Sequence, residues 1–334
     1  MCIVSPWRKL ALGFSVALIG MVLAATSALA DTPSPTGTAS NTPTATGTAT
    51  AVPGTPTATP TAATTTPTPI AVTNTPTPTP TSSVAHDNRY FAQTGYRIDN
   101  DTIWDYFNRR GGVTTFGYPV SRTFLLQGFT VQFFQRRIVQ LDQAGHARLL
   151  NVLDPGLMPY SSFNGATLPG IDSGLVASAP APSDAAGVLS FVKAHAPDSF
   201  QGFPVNFYQT FLNTVQAPVA FPNGGDPALL PGFDLEMWGV PTSGVLVDPN
   251  NHNFVYLRFQ RGIMHFDAGC NCTQGILLVD YLKSILTGQN LPADLDQEAR
   301  GSSFYKQYDP SQASWVHNPS LLPATDLTNA FNPE

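Results

Sequence analysis

One short pattern occurs twice in this chain and constrains its fold more than any other feature. The first copy is Phe-Gly-Tyr-Pro-Val-Ser at 116–121 followed by Phe-Gln-Arg-Arg-Ile at 134–138. The second is Trp-Gly-Val-Pro-Thr-Ser at 238–243 followed by Phe-Gln-Arg-Gly-Ile at 259–263. An aspartate ends each copy, at 142 and 267, and the second copy is three residues longer because of its run at 248–253. Such self-similarity predicts two structural units of one design.

Each copy predicts a tight turn that leads into a β-hairpin. Glycine permits positive φ and proline fixes φ, so Gly-x-Pro is typical of a turn. The alternation at 129–133 and the more continuously apolar run at 254–259 both predict strands. Arg261-Gly262 then predicts a reversal into a return strand at 263–266. The first copy has Arg137 where the second has Gly262, so a positive φ at that turn would strain Arg137.

The turn and hairpin residues of the second copy resemble the LGFP-type repeat of bacterial cell-surface proteins, and the first copy departs from that pattern at Arg137. The blocks Phe91–Gly95 and Gly111-Gly112 are also similar to blocks in secreted bacterial proteins of unknown function. Such repeats are associated with cell-wall attachment, and they accompany enzymes too. The resemblance therefore implies a location more than an activity.

The first 30 residues have the pattern of a signal peptide. Arg8 and Lys9 precede an apolar run at 10–23, and Ala28-Leu29-Ala30 forms a small-residue cleavage site. An uncleaved membrane anchor is the alternative, but the apolar run is short for a membrane span. We therefore expect a protein that is secreted to the cell surface or beyond, with no membrane span after cleavage.

Residues 31–83 are of low complexity, since Thr and Pro account for 32 of the 53 positions and no aromatic residue occurs. A segment with so little to bury forms no packed core, so we expect a disordered linker. In polyproline II conformation it could extend to about 160 Å at ~3.1 Å per residue. The composition fits an O-glycosylated stalk or an unmodified spacer equally well.

The remaining residues, from 84 onward, have a globular composition. They contain 14 Lys and Arg against 21 Asp and Glu, and this acidic balance argues against nucleic-acid binding. We expect an α+β fold with two related helix-plus-hairpin units, at 84–150 and 230–334, and a C-terminal helix and strap in the second. The connection at 151–229 holds a possible third, degenerate unit around Gly202-Phe-Pro204 and 207–215.

Helices are predicted from periodicity and capping residues. The predicted segments are 101–110 with Asp101 as N-cap, 184–196, 273–286 with Thr273 as N-cap and Gly288 as terminator, and 293–300 after Pro292.

Cys270 and Cys272 are the two cysteines that remain after signal cleavage. Outside the cytoplasm they predict a disulfide, although pairing across one residue closes a very small ring. The alternative is a zinc site with His265 and His252, but Cys-x-Cys is not the usual zinc spacing. The run 248–253 is rich in oxygen ligands, yet it lacks the spaced carboxylates of a calcium loop, and we interpret it as a loop with Asx turns.

Two kinds of charged residue could carry chemistry. Asp234 and Glu236 would point the same way on a strand and could form a hydrolytic carboxylate pair, with His265 as a further candidate. Arg136 and Arg261 could bind a carboxylate or phosphate of a wall polymer. They could equally pair with the aspartates at 142 and 267, and we favour this pairing because both residues recur together.

The hypothesis is a secreted, wall-associated, non-catalytic module that binds polysaccharide or peptidoglycan and needs no cofactor. The alternatives are an extracellular hydrolase and a structural surface protein without a ligand site. Candidate catalytic groups in one deep pocket would favour the hydrolase, and a shallow aromatic groove would favour binding. The candidate contact residues are Trp238, Tyr256, Arg261 and His252 in the second copy, and Arg136 and Tyr118 in the first.

Overall fold

The structure is a computed structural model that describes residues 87–334. The predicted signal peptide and Thr/Pro linker lie outside the described residues. Among residues 87–334, no helix has the length and apolar character needed to cross a bilayer. The described part combines helices with antiparallel sheets, so the predicted α+β class is confirmed.

The first repeat unit is a small ribbon and two helices followed by a four-stranded antiparallel meander in the order β3-β4-β5-β6. Its elements are β1 (Tyr90–Phe91), β2 (Tyr96–Arg97), α1 (Asp101–Arg109), α2 (Gly112–Phe116), β3 (Phe124–Leu126), β4 (Phe129–Phe133), β5 (Ile138–Leu141) and β6 (Ala147–Leu150). The predicted helix 101–110 is confirmed as α1, but its cap is Asn100, whose side chain accepts a hydrogen bond from the Ile103 amide.

Helices make up most of the regular structure in the connection between the units. Its elements are β7 (Ser162–Phe163), β8 (Ala166–Thr167), α3 (Ser173–Ser178), α4 (Ala185–His195), α5 (Phe207–Leu212) and α6 (Ala217–Ala220). The predicted helix 184–196 is confirmed, with Asp184 accepting from the Gly187 amide. The prediction of a possible third repeat unit is wrong, because the segment after Gly202-Phe-Pro204 forms helix α5 and not a hairpin.

The second repeat unit repeats the plan of the first, with a helix, a turn and a four-stranded sheet in the order β12-β11-β10-β9. Its elements are α7 (Leu230–Trp238), β9 (Leu246–Val247), β10 (Phe254–Phe259), β11 (Gly262–Asp267), β12 (Cys272–Gly275), α8 (Leu278–Thr287) and α9 (Ala293–Ala299), and the C-terminal strap (302–334) follows. The prediction that a helix starts at Thr273 is wrong. Thr273 pairs with Phe266 in the sheet, so α8 begins only at Leu278. Its predicted end at Gly288, with φ of 71°, is confirmed.

The recurring glycine and glutamine form one interlocking contact in each copy. Gly117 has φ 76° and ψ −175°, and Gly239 has φ 69° and ψ −158°, a region open almost only to glycine. A Cβ on either glycine would lie 2.6 or 2.7 Å from the Cβ of Gln135 or Gln260. These glutamines accept hydrogen bonds from the backbone N–H groups that follow the glycines, at 3.0 and 3.3 Å.

The recurring serine completes the turn. Ser121 Oγ accepts from the Phe133 amide at 2.8 Å, and Ser243 Oγ accepts from the Arg258 amide at 3.1 Å. Each hydroxyl also donates to the carbonyl of the residue that follows it. The serine therefore joins the turn to the central strand of its sheet, which explains why it recurs with the glycine.

The hairpin reversal differs from the prediction. Phe259 pairs with Gly262, so Gln260 and Arg261 form the turn, and Gly262 does not have positive φ. The expected strain at Arg137 is therefore absent. Gly262 is required for space instead, because a Cβ there would collide with the Arg137 guanidinium and lie 2.9 Å from the Trp238 ring.

Arg137 joins the two repeat units. Its guanidinium lies 4.4 Å from the Trp238 ring centroid and donates to the Arg261 carbonyl, both in the second copy. Burial lowers the Arg137 pKa to about 9. Arg137 and Gly262 occupy matching positions in the two copies and fit together. The first copy supplies the side chain, and the glycine of the second copy leaves the space for it.

Two apolar clusters enclose the sheets. One contains Phe133 and Ile138 of the first sheet with Tyr256 and Ile263 of the second, and packs against α8 and the strap. The other contains the opposite faces of both sheets together with residues of α1, α4, α5 and α7. Both faces of each sheet are therefore partly buried.

Cys270 and Cys272 form the predicted disulfide. Because it closes a loop across one residue, the unfolded chain loses little freedom, and we expect the double change C270S/C272S to cost at most about 1.5 kcal/mol. Chemical denaturation with and without reductant measures this. A cost well above that value would mean that the disulfide holds the β11–β12 turn in its native form.

Candidate functional site

An aromatic cleft opens on the second sheet. Two adjoining cavities, of about 360 and 130 Å³, share the side chains of Phe163, Phe254, Tyr256 and Tyr281. We call these four residues, with His265, the aromatic cleft. A predicted ligand residue, Tyr256, and a predicted catalytic candidate, His265, line the same cavity there.

Strand alternation places these rings together. Successive side chains of a strand point to opposite faces, so Phe254 and Tyr256 share a face of β10 while Val255 and Leu257 occupy the other. Tyr256 pairs with His265 across the ladder, which brings the imidazole to the same face. The Phe254 and Tyr256 rings stack with centroids 6.3 Å apart and an interplanar angle of 9°.

The opposite wall comes from distant parts of the chain. Phe163 of β7 and Tyr281 of α8 meet with ring centroids 5.0 Å apart. Tyr281 is half-buried, in the second turn of α8, and Phe163 is buried against it. The cleft is therefore assembled from three segments that lie far apart in sequence.

Amide side chains form the polar rim of the cleft, and the buried Asp248 carboxylate holds their loop in place. Asp248 accepts from the Asn250 amide at 2.9 Å and from the Tyr256 hydroxyl at 3.3 Å. The Asn250 side chain donates to the Gly165 carbonyl at 3.0 Å, which connects the loop to the β7–β8 ribbon. Asn251 accepts from the Asn253 amide. The interpretation of 248–253 as a loop with Asx turns is thus confirmed.

The rings of the cleft are uncharged at neutral pH. Burial and the nearby Asp248 raise the pKa of Tyr256, and burial raises the pKa of Tyr281. Burial lowers the pKa of His265, which favours the neutral imidazole. The cleft therefore offers neutral rings, hydroxyls and amides to a ligand.

The other predicted ligand residues lie elsewhere. His252 is exposed at the tip of the loop 248–253. Tyr118 packs edge-on against Phe91, with ring centroids 6.0 Å apart. Arg136 and Trp238 line a separate polar cavity of about 430 Å³, and Arg261 lines a third, of about 490 Å³. The structure therefore does not gather the predicted residues into one site.

Trp238 has a structural role. Its side chain is 4% exposed, its Nε1 donates to the Thr214 hydroxyl at 2.7 Å, and Arg137 covers its ring. Arg136 beside it donates to the Gly275 carbonyl at 3.0 Å. The stacking face that a sugar would need on Trp238 is thus occupied by the protein itself.

The favoured pairing of each repeat arginine with its own aspartate is wrong. Asp142 accepts from Arg148 at 2.9 Å, Asp267 accepts from the Gly269 amide, and Arg261 donates to the Leu235 carbonyl at 3.2 Å. Each arginine precedes the return strand and each aspartate lies six residues further on, up to about 20 Å away at ~3.3 Å per residue. The aspartates recur because each begins the next turn of its sheet.

The proposed carboxylate pair is also wrong in its geometry. Asp234 and Glu236 lie on helix α7, where residues two apart do not share a face. Asp234 is 1% exposed and accepts from the Val215 amide at 2.9 Å. Glu236 accepts from the Tyr106 hydroxyl at 2.6 Å and from Arg110 at 2.7 Å. Neither residue lines the cavity that contains His265.

The zinc alternative has no ligand set in the described part of the chain. Within residues 87–334, no group of three or more His, Cys, Asp or Glu side chains could hold a metal ion. Both cysteines are consumed by their disulfide.

Sequence reasoning missed three residues of the cleft: Phe163, Phe254 and Tyr281. Phe254 could have been found, because it lies two positions before Tyr256 on a predicted strand. Tyr281 lies within the predicted helix 273–286, and Phe163 lies in a connection without periodicity. Their meeting depends on tertiary packing that no local pattern encodes.

No protein-family model matches the chain, and no match is found among curated proteins or among solved structures. The aromatic cleft is therefore the main structural basis for proposing a function.

Proposed function

We propose that the protein is a secreted, cell-wall-associated module that binds polysaccharide, or the glycan of peptidoglycan, in the aromatic cleft without cleaving it. The observation that carries this proposal is the lining of one open cleft by neutral aromatic rings and amide side chains. The same arrangement also fits the expectation that a shallow aromatic groove favours binding.

The chemistry of the cleft suits a sugar. The C–H-bearing face of a pyranose ring is apolar and packs against an aromatic ring, while its hydroxyls need hydrogen-bond partners. Phe254 and Tyr281 supply rings that remain partly exposed. Asn250 and Asn251, which are exposed, supply polar groups at the rim. Ligand sites usually combine such apolar walls with a few polar groups in volumes of about 300–1,000 Å³.

The proposed location rests on the chain before the domain and on the repeat. A signal-peptide pattern and a Thr/Pro-rich linker precede the globular part. The repeat resembles one found in bacterial cell-surface proteins. A linker of this length could hold the domain away from its point of attachment, where a wall polymer is within reach.

The binding role is better supported than hydrolysis. Asp234 and Glu236 are engaged by Val215, Tyr106 and Arg110. His265 lies in the cleft with its pKa lowered by burial, and Asp248 is held by the Tyr256 hydroxyl and the Asn250 amide. A glycosidase needs two carboxyl groups facing each other across the scissile bond. The residues that line the cleft supply one, Asp248.

We expect F254A and Y281A each to weaken polysaccharide binding about tenfold or more, because truncating an aromatic ring at the centre of a binding site commonly costs at least ~1.4 kcal/mol. Affinity electrophoresis or calorimetry with soluble wall polysaccharide measures the change. Y208A is the matched control, since Tyr208 is a half-buried tyrosine on α5 that does not line the cleft. Equal affinity of the cleft variants and the control variant would place the ligand elsewhere.

A further inference from the structure

Arg258 is a buried cation without a partner. Its side chain is 5% exposed, within residues 87–334 no hydrogen bond or ion pair engages its guanidinium, and the nitrogens of that group reach solvent only through an adjoining cavity. Burial lowers its pKa, and no neighbouring carboxylate offsets this. An unpaired buried charge is costly, so a protein that keeps one has a reason beyond stability.

The repeat shows that a cation is not needed at this position. Arg258 corresponds to Phe133 of the first copy, since Arg258 pairs with Ile263 as Phe133 pairs with Ile138. Phe133 is fully buried against Phe124 and Phe331. The same backbone position thus accepts an apolar residue in one copy and holds an arginine in the other.

The guanidinium faces a cavity. Arg258 and Arg261 line an open space of about 490 Å³ at the end of the β10–β11 hairpin. Gln260 lies between them, and Ile171, which is 58% exposed, adds an apolar wall. Asp154 also lines this space, but it is held by the Asn151 side chain at 2.6 Å and forms no ion pair with either arginine. The two guanidinium groups and the side-chain amide of Gln260 offer N–H donors of the kind that bind a carboxylate.

In the first copy, the glutamine at the matching position already has a carboxylate partner within the protein. Gln135, the counterpart of Gln260, donates from its side-chain amide to the Asp280 carboxylate at 3.3 Å, and its backbone carbonyl accepts from the Val279 amide of α8. Helix α8 therefore covers the first hairpin and presents a carboxylate to it. The second hairpin has the matching glutamine and the additional Arg258, and an open cavity in place of the helix.

We propose that the cavity around Arg258 is a carboxylate subsite that recognises an acidic sugar, such as a uronic acid, in the wall polysaccharide. This rests on the proposed polysaccharide-binding function. Arg258 follows Tyr256 on the same face of β10, about 7 Å along the strand, so the acidic subsite and the aromatic cleft are lined by successive residues of one strand face.

The test compares oligogalacturonate with the same oligomer after reduction of its carboxylates to alcohols, using the full chain. The wild type should bind the acidic oligomer about tenfold to a hundredfold more tightly, as expected of hydrogen bonds to a charged group. R258M should lose this preference and keep its affinity for the neutral oligomer. R148M is the control, because Arg148 is an exposed arginine that pairs with Asp142.

A stability measurement separates recognition from a structural role. If Arg258 is retained for a ligand, R258M removes an unpaired buried charge and should unfold at an equal or higher denaturant concentration than the wild type. A structural arginine would instead make R258M less stable. This readout does not depend on knowing the ligand.

The outcomes decide between the two proposals. Equal binding of both oligomers by the wild type, a preserved preference in R258M, or a less stable R258M would overturn the carboxylate subsite. Binding of an acidic peptide alone would overturn it as a sugar site. If F254A and Y281A weaken binding while R258M changes nothing, the subsite fails and the proposed function stands.

Discussion

Replacing Gly239 with alanine is expected to destabilise the domain by about 3 kcal/mol or more. Its φ of 69° and ψ of −158° lie in a region that L-residues avoid, at a cost of roughly 1–3 kcal/mol. The new Cβ would also lie 2.7 Å from the Cβ of Gln260, and overpacking of this kind adds roughly 1–3 kcal/mol. G117A should behave in the same way, because Gln135 occupies the matching position in the first copy.

Gly145 supplies the matched control. It also has positive φ, at 81°, but a Cβ there would meet nothing within 4 Å. G145A should therefore cost only about 1–2 kcal/mol of backbone strain. Urea denaturation of the three variants measures the differences. If G239A and G145A are equally stable, the Gly–Gln contact does not hold the repeat together.

Asp234 is expected to make stability depend on pH. Burial raises its pKa from 3.8 to about 7, although the Val215 amide donates to it. The unfolded state releases this proton at lower pH than the folded state does, so the stability due to Asp234 is complete below pH 4. It is lost as pH rises through 7, and the shift corresponds to about 4 kcal/mol.

D234N tests this because asparagine cannot ionise. The variant should match the wild type near pH 4 and exceed its free energy of unfolding at pH 8, by as much as about 4 kcal/mol. E298Q measures the effect of removing one exposed surface charge on α9. A constant difference between D234N and the wild type from pH 4 to 8 would show that Asp234 ionises normally in the folded protein.

The local patterns predicted much of the fold. Two copies of one motif indicated two related units, and the alternation at 129–133 and the apolar run at 254–259 located the central strands. Helices α1 and α4 followed from the spacing of their apolar residues, although the cap of α1 is Asn100 and not the predicted Asp101. These features depend on neighbours within a few residues, which the sequence displays directly.

The predictions that failed concern residues whose structure depends on contacts with distant parts of the chain. Thr273 looked like a helix cap, but pairing with Phe266 makes it part of a strand. The sequence predicts Gly262 as a turn glycine. Glycine is needed there instead because the Arg137 side chain of the other copy occupies the space that a Cβ would fill. Asp234 and Glu236 are predicted on a strand but lie on helix α7, whose Pro231 and Gly232 are poor helix formers and hide it from the sequence.

The two copies share a backbone plan and differ in what they expose. At the positions of Tyr256, His265 and Arg258, the first copy has Val131, Gln140 and Phe133. The first sheet is packed against the strap and α8, while the second carries the aromatic cleft and the arginine-lined cavity. Under the proposed function, we infer that the first unit supports the second, which carries the proposed binding site.

The most direct test of the proposed function is a pull-down of the protein on insoluble wall polysaccharide and on peptidoglycan, with released sugars and peptides assayed in the same tubes. Retention of the wild type without release of fragments, together with loss of retention in F254A and Y281A, is the predicted result. Release of fragments would contradict the non-catalytic role. Retention that survives both substitutions would contradict the aromatic cleft as the binding site.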